Sequence, residues 1–130
     1  LEGSAPGGDL GNGSFISPSL VHVEDSNSEF LQQEVFGPLL TIDTFSDEDD
    51  AVEKANNTRF GLAASVWSSD QQRGLRLANR IKSGTFWLNA HMKLHAEIET
   101  GGYRESGLGR LHGVEGLDEF LQTKHISWQT

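Results

Sequence analysis

Four stretches carry residue types and spacings that can do chemistry. Glu34-Val35-Phe36-Gly37-Pro38 sets a carboxylate two residues from an aromatic ring, ahead of a rigid Gly-Pro pair. A carboxylate so placed can accept paired hydrogen bonds from a diol such as a ribose, and the ring can cover a sugar or a flat ring. The plainer alternative, favoured on residue chemistry alone, is a charged turn residue beside a core phenylalanine. His91 and His95 are four apart, with Glu97 and Glu99 following. Histidines at that spacing share a metal when both sit on one helix face. This stretch has no helical pattern and reads as loop or pocket residues. Gly107-x-Gly109-x-x-x-Gly113 suggests a phosphate loop. Such a loop should follow a strand and open a helix. No strand precedes it, so tight turns under close packing are favoured. Asp47 to Asp50 lacks the glycine and terminal glutamate of a calcium loop and reads as an acidic helix start. Serine, histidine and aspartate all occur, but without a Gly-x-Ser-x-Gly elbow they define no triad.

The elements that must position these residues follow from hydrophobic rhythm. Residues 1–14 hold five glycines and read as a loop or ribbon. Residues 15–23 are extended in character, with Pro18 confining the strand to an edge or splitting it. One helical turn is expected within 27–33. A strand over 39–45 leads to a helix that Ser46 can cap, with Asp47, Glu48, Asp49 and Asp50 in its first turn, where acidic groups complement the helix dipole. Ala51, Val52 and Ala55 supply its thin apolar face. A strand over 62–67 follows. Ser69 with Gln72 forms a capping-box pattern for a second helix, whose apolar face is Leu75, Ala78 and Ile81 and whose stop is Gly84. Residues 85–89 are a further strand. Strand–helix–strand–helix–strand order implies parallel pairing through crossovers. Residues 91–99 read as loop, 101–110 as a glycine-rich turn region, and Val114, Leu117, Phe120 and Leu121 as a short amphipathic helix. His125-Ile126-Ser127-Trp128 is strand-like.

Composition bounds the function. The chain has 130 residues, the size of one domain. Its net charge of −9 argues against a nucleic-acid or anionic-membrane surface, which attract positive charge. No cysteine is present, so the chain holds no disulfide, thiolate zinc site or thiol nucleophile. No run approaches the roughly 20 apolar residues that span a bilayer, and the first residues lack the pattern of a signal peptide. The chain opens on Leu1, and its only methionine is Met92. It is expected to be a piece of a longer protein.

Glu34-Val35-Phe36-Gly37-Pro38 resembles the Glu-x-Phe-Gly-Pro motif of the aldehyde dehydrogenase superfamily. The resemblance continues in family order and spacing through residues 56–67, 83–89, 101–110 and 116–124, and it covers nearly everything from Phe15 onward. It implies an α/β fold: the parallel-stranded, C-terminal part of the catalytic domain over 15–124, with a glycine-rich ribbon over 1–14 and an oligomerisation strand over 125–130. It also implies an enzyme in which a cysteine thiolate attacks the aldehyde, hydride passes to NAD or NADP, and water releases the acid. The nucleophile, the general base and the cofactor domain lie earlier in the family's chain, so the present residues alone are expected to be inactive. Glu34 corresponds to the glutamate that hydrogen-bonds the nicotinamide ribose, and Phe36 to the aromatic beside that ribose. Residues 89–101 match the loop lining the aldehyde tunnel, which makes His91, Leu94 and Thr100 candidates for the substrate pocket. No catalytic or metal-binding residue is assigned. The implied partners are an aldehyde substrate and further copies of the same chain, with no nucleic acid and no membrane. The implied location is the cytoplasm.

Three positions depart from the family pattern. Glu99-Thr100 replaces an apolar pair, which makes one wall polar. Leu111 stands where many members carry a glutamate implicated in proton relay. A standalone binding or oligomerisation module derived from the same domain is the competing reading.

Overall fold

The first two strands begin where prolines release them. In the computed structural model, which describes residues 2–130, Pro18 is followed at once by β1 (Ser19–His22), and the Gly37-Pro38 pair by β2 (Leu39–Ile42). Between them lies a single helical turn, α1 (Glu29–Gln32). Helix α2 (Glu48–Asn56) leads to β3 (Ala63–Val66), α3 (Gln71–Arg80) and β4 (Thr85–Leu88). The chain divides into two units, one ending at Thr58 and one running from Arg59 to Thr130.

In the first unit β1 and β2 pair in parallel, Ser19 opposite Leu39 and His22 opposite Ile42. The ladder continues past both ends, Ser19 N–H donating to Pro38 O and Val23 N–H to Ile42 O, each at 2.8 Å. Val23 and Val52 are its buried apolar side chains. The N-terminal ribbon contains a short 3₁₀ turn, Gly8–Leu10. It is tied down where Gly3 N–H donates to Ser19 Oγ (2.9 Å) and Ser17 N–H to Ser4 O (3.0 Å).

The cap of α2 is Asp47 rather than Ser46. The Asp47 carboxylate accepts from the N–H groups of Asp49 (3.0 Å) and Asp50 (2.9 Å), and a carboxylate meets two orphan amides better than one hydroxyl. Ser46 instead donates its N–H to Asp50 Oδ2 at 2.8 Å. That bond, followed by the Lys54 ammonium 3.6 Å away, holds the Asp50 carboxyl below its ordinary range. Lys54 also reaches Asp43 at 3.5 Å.

In the second unit β3 and β4 pair in parallel, Ala63 opposite Thr85 and Val66 opposite Leu88. The observed pairs are therefore β1 with β2 and β3 with β4, two ladders rather than one run through all the strands. Helix α3 is capped by Asp70, which accepts from Arg73 N–H at 3.1 Å, not by Ser69. Its buried face is Gly74 and Leu77, with Ala78 and Ile81 half-buried and Leu75 left 53% exposed. The physical reason is Gly74: a Cβ there would drive into the Leu88 methyls of β4, so the bare backbone lets helix and strand approach. The helix ends at Arg80 with Ile81 as its C-cap, not at Gly84.

Residues 115–120 form a 3₁₀ helix rather than an α-helix. It has no side-chain cap, and Gly113 before it adopts φ of +57°. Residues 121–130 carry no regular secondary structure. No described helix is long and apolar enough to cross a membrane.

Candidate functional site

In the first unit the site grows from the turn into β2. Helix α1 is anchored by Gln32, whose Nε2 donates to Ser26 O (2.8 Å) and Asn57 O (2.6 Å). The chain then turns twice in three-residue steps: Gly37 N–H donates to Val35 O (2.9 Å), and Leu39 N–H to Gly37 O (2.8 Å). These turns thrust Phe36 outward, 96% exposed, so it is not a core phenylalanine. Glu34 is exposed beside it, and its carboxylate has no hydrogen bond or ion pair among the described residues. An open carboxylate and an open phenyl ring on an anchored turn suit a ligand with vicinal hydroxyls and a flat or sugar face.

In the second unit the site is the loop after β4. Asn89, at φ of +52°, clamps this loop to the end of β3: its Oδ1 accepts from Ser68 N–H and its Nδ2 donates to Ser68 O, both at 2.8 Å. An asparagine tolerates this left-handed backbone better than most residues. Trp87 Nε1–H donates to Lys93 O at 2.7 Å and folds the loop back onto β4. His91 Nδ1 lies 2.8 Å from Ser65 Oγ on β3, with its ring edge-on to Trp87 at 5.4 Å.

Beside Trp87 the loop and β4 line a half-open cavity of about 320 Å³ whose wall includes Leu94 and Thr100 but not His91. The fold thus brings two of the three expected pocket residues together and places the third against Ser65. Thr100 forms an antiparallel bridge with Leu111, N–H to O at 2.8 Å in both directions, and its Oγ1 is 2.9 Å from His112 Nδ1. Glu99 accepts from Glu115 N–H (3.3 Å). Backbone N–H groups, its own first and then that of Glu115, hold its carboxyl below the ordinary range.

The glycine-rich stretch serves packing. Gly84 N–H and Tyr103 N–H both donate to Gly61 O, at 3.0 and 2.8 Å. A Cβ on Gly84 would collide with the Gly101 carbonyl. Arg110 Nη1 donates to Gly109 O (2.7 Å) and Gly102 O (3.2 Å), and its guanidinium lies over the Tyr103 ring. Among the described residues no group of three or more His, Cys, Asp or Glu could hold a metal.

Ser65, Trp87 and His112 were not visible as site residues in the sequence. Ser65 is 26 residues from His91, and His112 is 12 residues from Thr100. Only the strand pairing and the Thr100–Leu111 bridge make them neighbours.

With this geometry in view, the similarities to known proteins are informative. The model of the aldehyde dehydrogenase family matches residues 1–126. The chain is 42% identical over 118 residues to betaine aldehyde dehydrogenase from Bacillus subtilis, covering 91% of this chain and 24% of that protein. It is 39% identical to an aldehyde dehydrogenase from Alternaria alternata, over 88% of this chain and 23% of that protein. Among solved structures, betaine aldehyde dehydrogenase from Staphylococcus aureus in complex with NAD+ superposes with a TM-score of 0.87 at 41% identity. That match covers 93% of this chain and 24% of the other. An aldehyde dehydrogenase from Mycobacterium tuberculosis complexed with NAD+ gives 0.86 at 36% identity, over 94% and 25%. The chain spans about a quarter of the length of these relatives. The motifs, the parallel strand pairs and the matched span agree, and the chain belongs to the aldehyde dehydrogenase family.

Proposed function

We propose that these residues form the C-terminal part of an enzyme that oxidises an aldehyde to a carboxylic acid with NAD or NADP. The observation that carries this reading is the match of nearly the whole chain to about a quarter of NAD+-bound aldehyde dehydrogenases. Burial supports it. Only Val23, Val52 and Leu77 are buried apolar side chains among the described residues, while large ones such as Trp67, Leu108 and Trp128 stay exposed. A two-stranded parallel ladder needs cover on both faces. That cover is proposed to be the rest of the catalytic domain.

In this reading Glu34 accepts hydrogen bonds from the ribose hydroxyls of the cofactor, and Phe36 packs beside the same sugar. The fit rests on the chemistry of the pair: a free carboxylate and an open ring on one anchored turn. The nicotinamide, when bound, supplies the hydride acceptor. What these two residues contribute is position, since an aligned acceptor removes part of the entropic cost of reaction. Leu94 and Thr100, with His91 near them in the loop, line the path of the aldehyde. The chain has no cysteine, so the nucleophile comes from the remainder of the protein. Residues 125–130 are assigned to pairing with a neighbouring subunit, and the enzyme to the cytoplasm.

The test is NADH formation at 340 nm by the full-length protein with an aldehyde panel, beside the isolated 130-residue chain. Full-length turnover with none from the isolated chain supports the reading. Turnover by the isolated chain, or none by the full-length protein, overturns it.

A further inference from the structure

Two threonines, Thr85 and Thr100, line the cavity beside Trp87, and Thr100 is the one fixed from two sides. The Thr100 backbone is held by its reciprocal bonds to Leu111, each 2.8 Å. Its Oγ1 is 2.9 Å from His112 Nδ1. His112 is absent from the cavity wall and sits at φ of +63°, a left-handed conformation that side chains rarely adopt. The surrounding wall is largely apolar, with Phe86, Trp87, Leu88, Leu94 and Ile98 beside Thr100. The Trp87 indole N–H is already used by Lys93 O, and Glu99 accepts from Glu115 N–H through Oε1 at 3.3 Å. Thr85, Lys93 and His95 complete the polar part of the wall, and no partner among the described residues positions the Thr85 hydroxyl as His112 positions that of Thr100.

A hydroxyl has one proton and two lone pairs. If Thr100 donates to His112, both lone pairs remain for a ligand. If His112 donates, one lone pair and the proton remain. Either tautomer leaves an acceptor, so the ligand group common to both is a hydrogen-bond donor. A hydroxyl also accepts, and it therefore satisfies both arrangements.

We infer that Thr100, positioned by His112, is the specificity-determining group of this cavity, and that the substrate is an aldehyde carrying a hydroxyl on its carbon skeleton. This rests on the aldehyde-oxidising reading above. A trimethylammonium group, as in betaine aldehyde, has no N–H or O–H to offer Thr100, and a plain hydrocarbon chain has none either. In both cases the hydroxyl is desolvated without a partner, the situation by which polar sites reject analogues that lack the matching group. His112 is a positioning residue that acts through Thr100.

The experiment uses the full-length enzyme and two matched sets: 3- and 4-hydroxybenzaldehyde against benzaldehyde, and glyceraldehyde against propanal. The expected result is about a tenfold or larger preference in kcat/KM for a hydroxylated member, seen mainly in KM, as for one well-formed hydrogen bond. Thr100→Val brings that ratio towards one, and Thr100→Ser retains it. His112→Ala lowers the ratio, and His112→Asn, which tolerates the left-handed backbone and keeps a polar head, restores it in part. Oxidation of all five aldehydes with equal kcat/KM within each set overturns this inference while leaving the parent reading intact. So does an unchanged ratio in a folded Thr100→Val enzyme. Oxidation of none of the five by an enzyme that turns over other aldehydes overturns the inference alone, and turnover of no aldehyde at all overturns the parent reading with it. The wild-type ratio decides the matter without any variant if Thr100→Val does not fold.

Discussion

The turn over residues 34–38 and the loop over residues 89–100 present their ligand groups in opposite ways. The turn is short, closed by two local hydrogen bonds, and leaves Glu34 and Phe36 exposed. The loop is tied at Asn89, Trp87, His91 and Thr100 to partners 6 to 26 residues away in sequence. A turn exposed within its own unit can lose a side chain with little consequence for that unit, because no residue of the unit packs on it. A cross-tied loop cannot, because each tether also sets the position of its neighbours. Binding and stability are thus separable in the first region and coupled in the second.

Four substitutions or conditions sharpen or break this contrast. The largest effect is expected for Gly84→Ala in the second unit, where the new Cβ would strike the Gly101 carbonyl. Backbone cannot swing aside as a side chain does, so a loss of about 3 kcal/mol is expected in denaturant unfolding of the full-length enzyme. A midpoint equal to wild type would show that the Gly61–Gly84–Gly101 packing is looser than it stands.

Glu34→Ala comes next. It removes a carboxylate proposed to accept charge-assisted bonds, and kcat/KM for the cofactor should fall about tenfold to a hundredfold. The melting temperature should stay at the wild-type value because the side chain is exposed. A stability loss with unchanged kinetics would reverse the contrast between the two regions.

Asn89→Gly keeps the left-handed backbone accessible but deletes both bonds to Ser68. The expected cost is about 1–2 kcal/mol of stability, together with altered aldehyde KM as the loop loosens. Steady-state kinetics and unfolding on one preparation would show whether the two move together.

The smallest effect is a pH dependence in the first unit. Asp50 is held below its ordinary range by the Ser46 N–H and then by Lys54. A carboxyl whose folded value is depressed adds stability above its unfolded value and loses it as pH falls through the folded one. Wild type should therefore lose stability across that acid range more steeply than Asp50→Asn, measured by urea unfolding at stepped pH. Parallel curves would remove Asp50 from the account.

Much of this protein was legible along the chain because the signals are local. Gly37-Pro38 sits just before a strand, the acidic run at 47–50 marks a helix start, and the Glu34 motif is contiguous, whereas Pro18, expected to confine or split an extended stretch, stands where β1 begins. The errors also have local causes. Ser46 and Ser69 each stand one residue before an aspartate that caps better, and the order of strong carboxylate over hydroxyl decided both. The face of α3 was misplaced because Gly74 carries no hydrophobicity, although its missing side chain is what seats the helix on Leu88.

The amino-acid sequence by itself determined the family, the strand and helix order, and the residues proposed to meet a ribose, since all of these reside in short motifs and their spacing. Tertiary structure alone decided which strands pair, that Phe36 lies outside the core of its own unit, and that Thr100 acquires His112 while His91 acquires Ser65. The reason is physical. A hydrogen bond between residues far apart in the chain has no signature at either residue. It exists only once a ladder and a bridge have brought two backbones within reach.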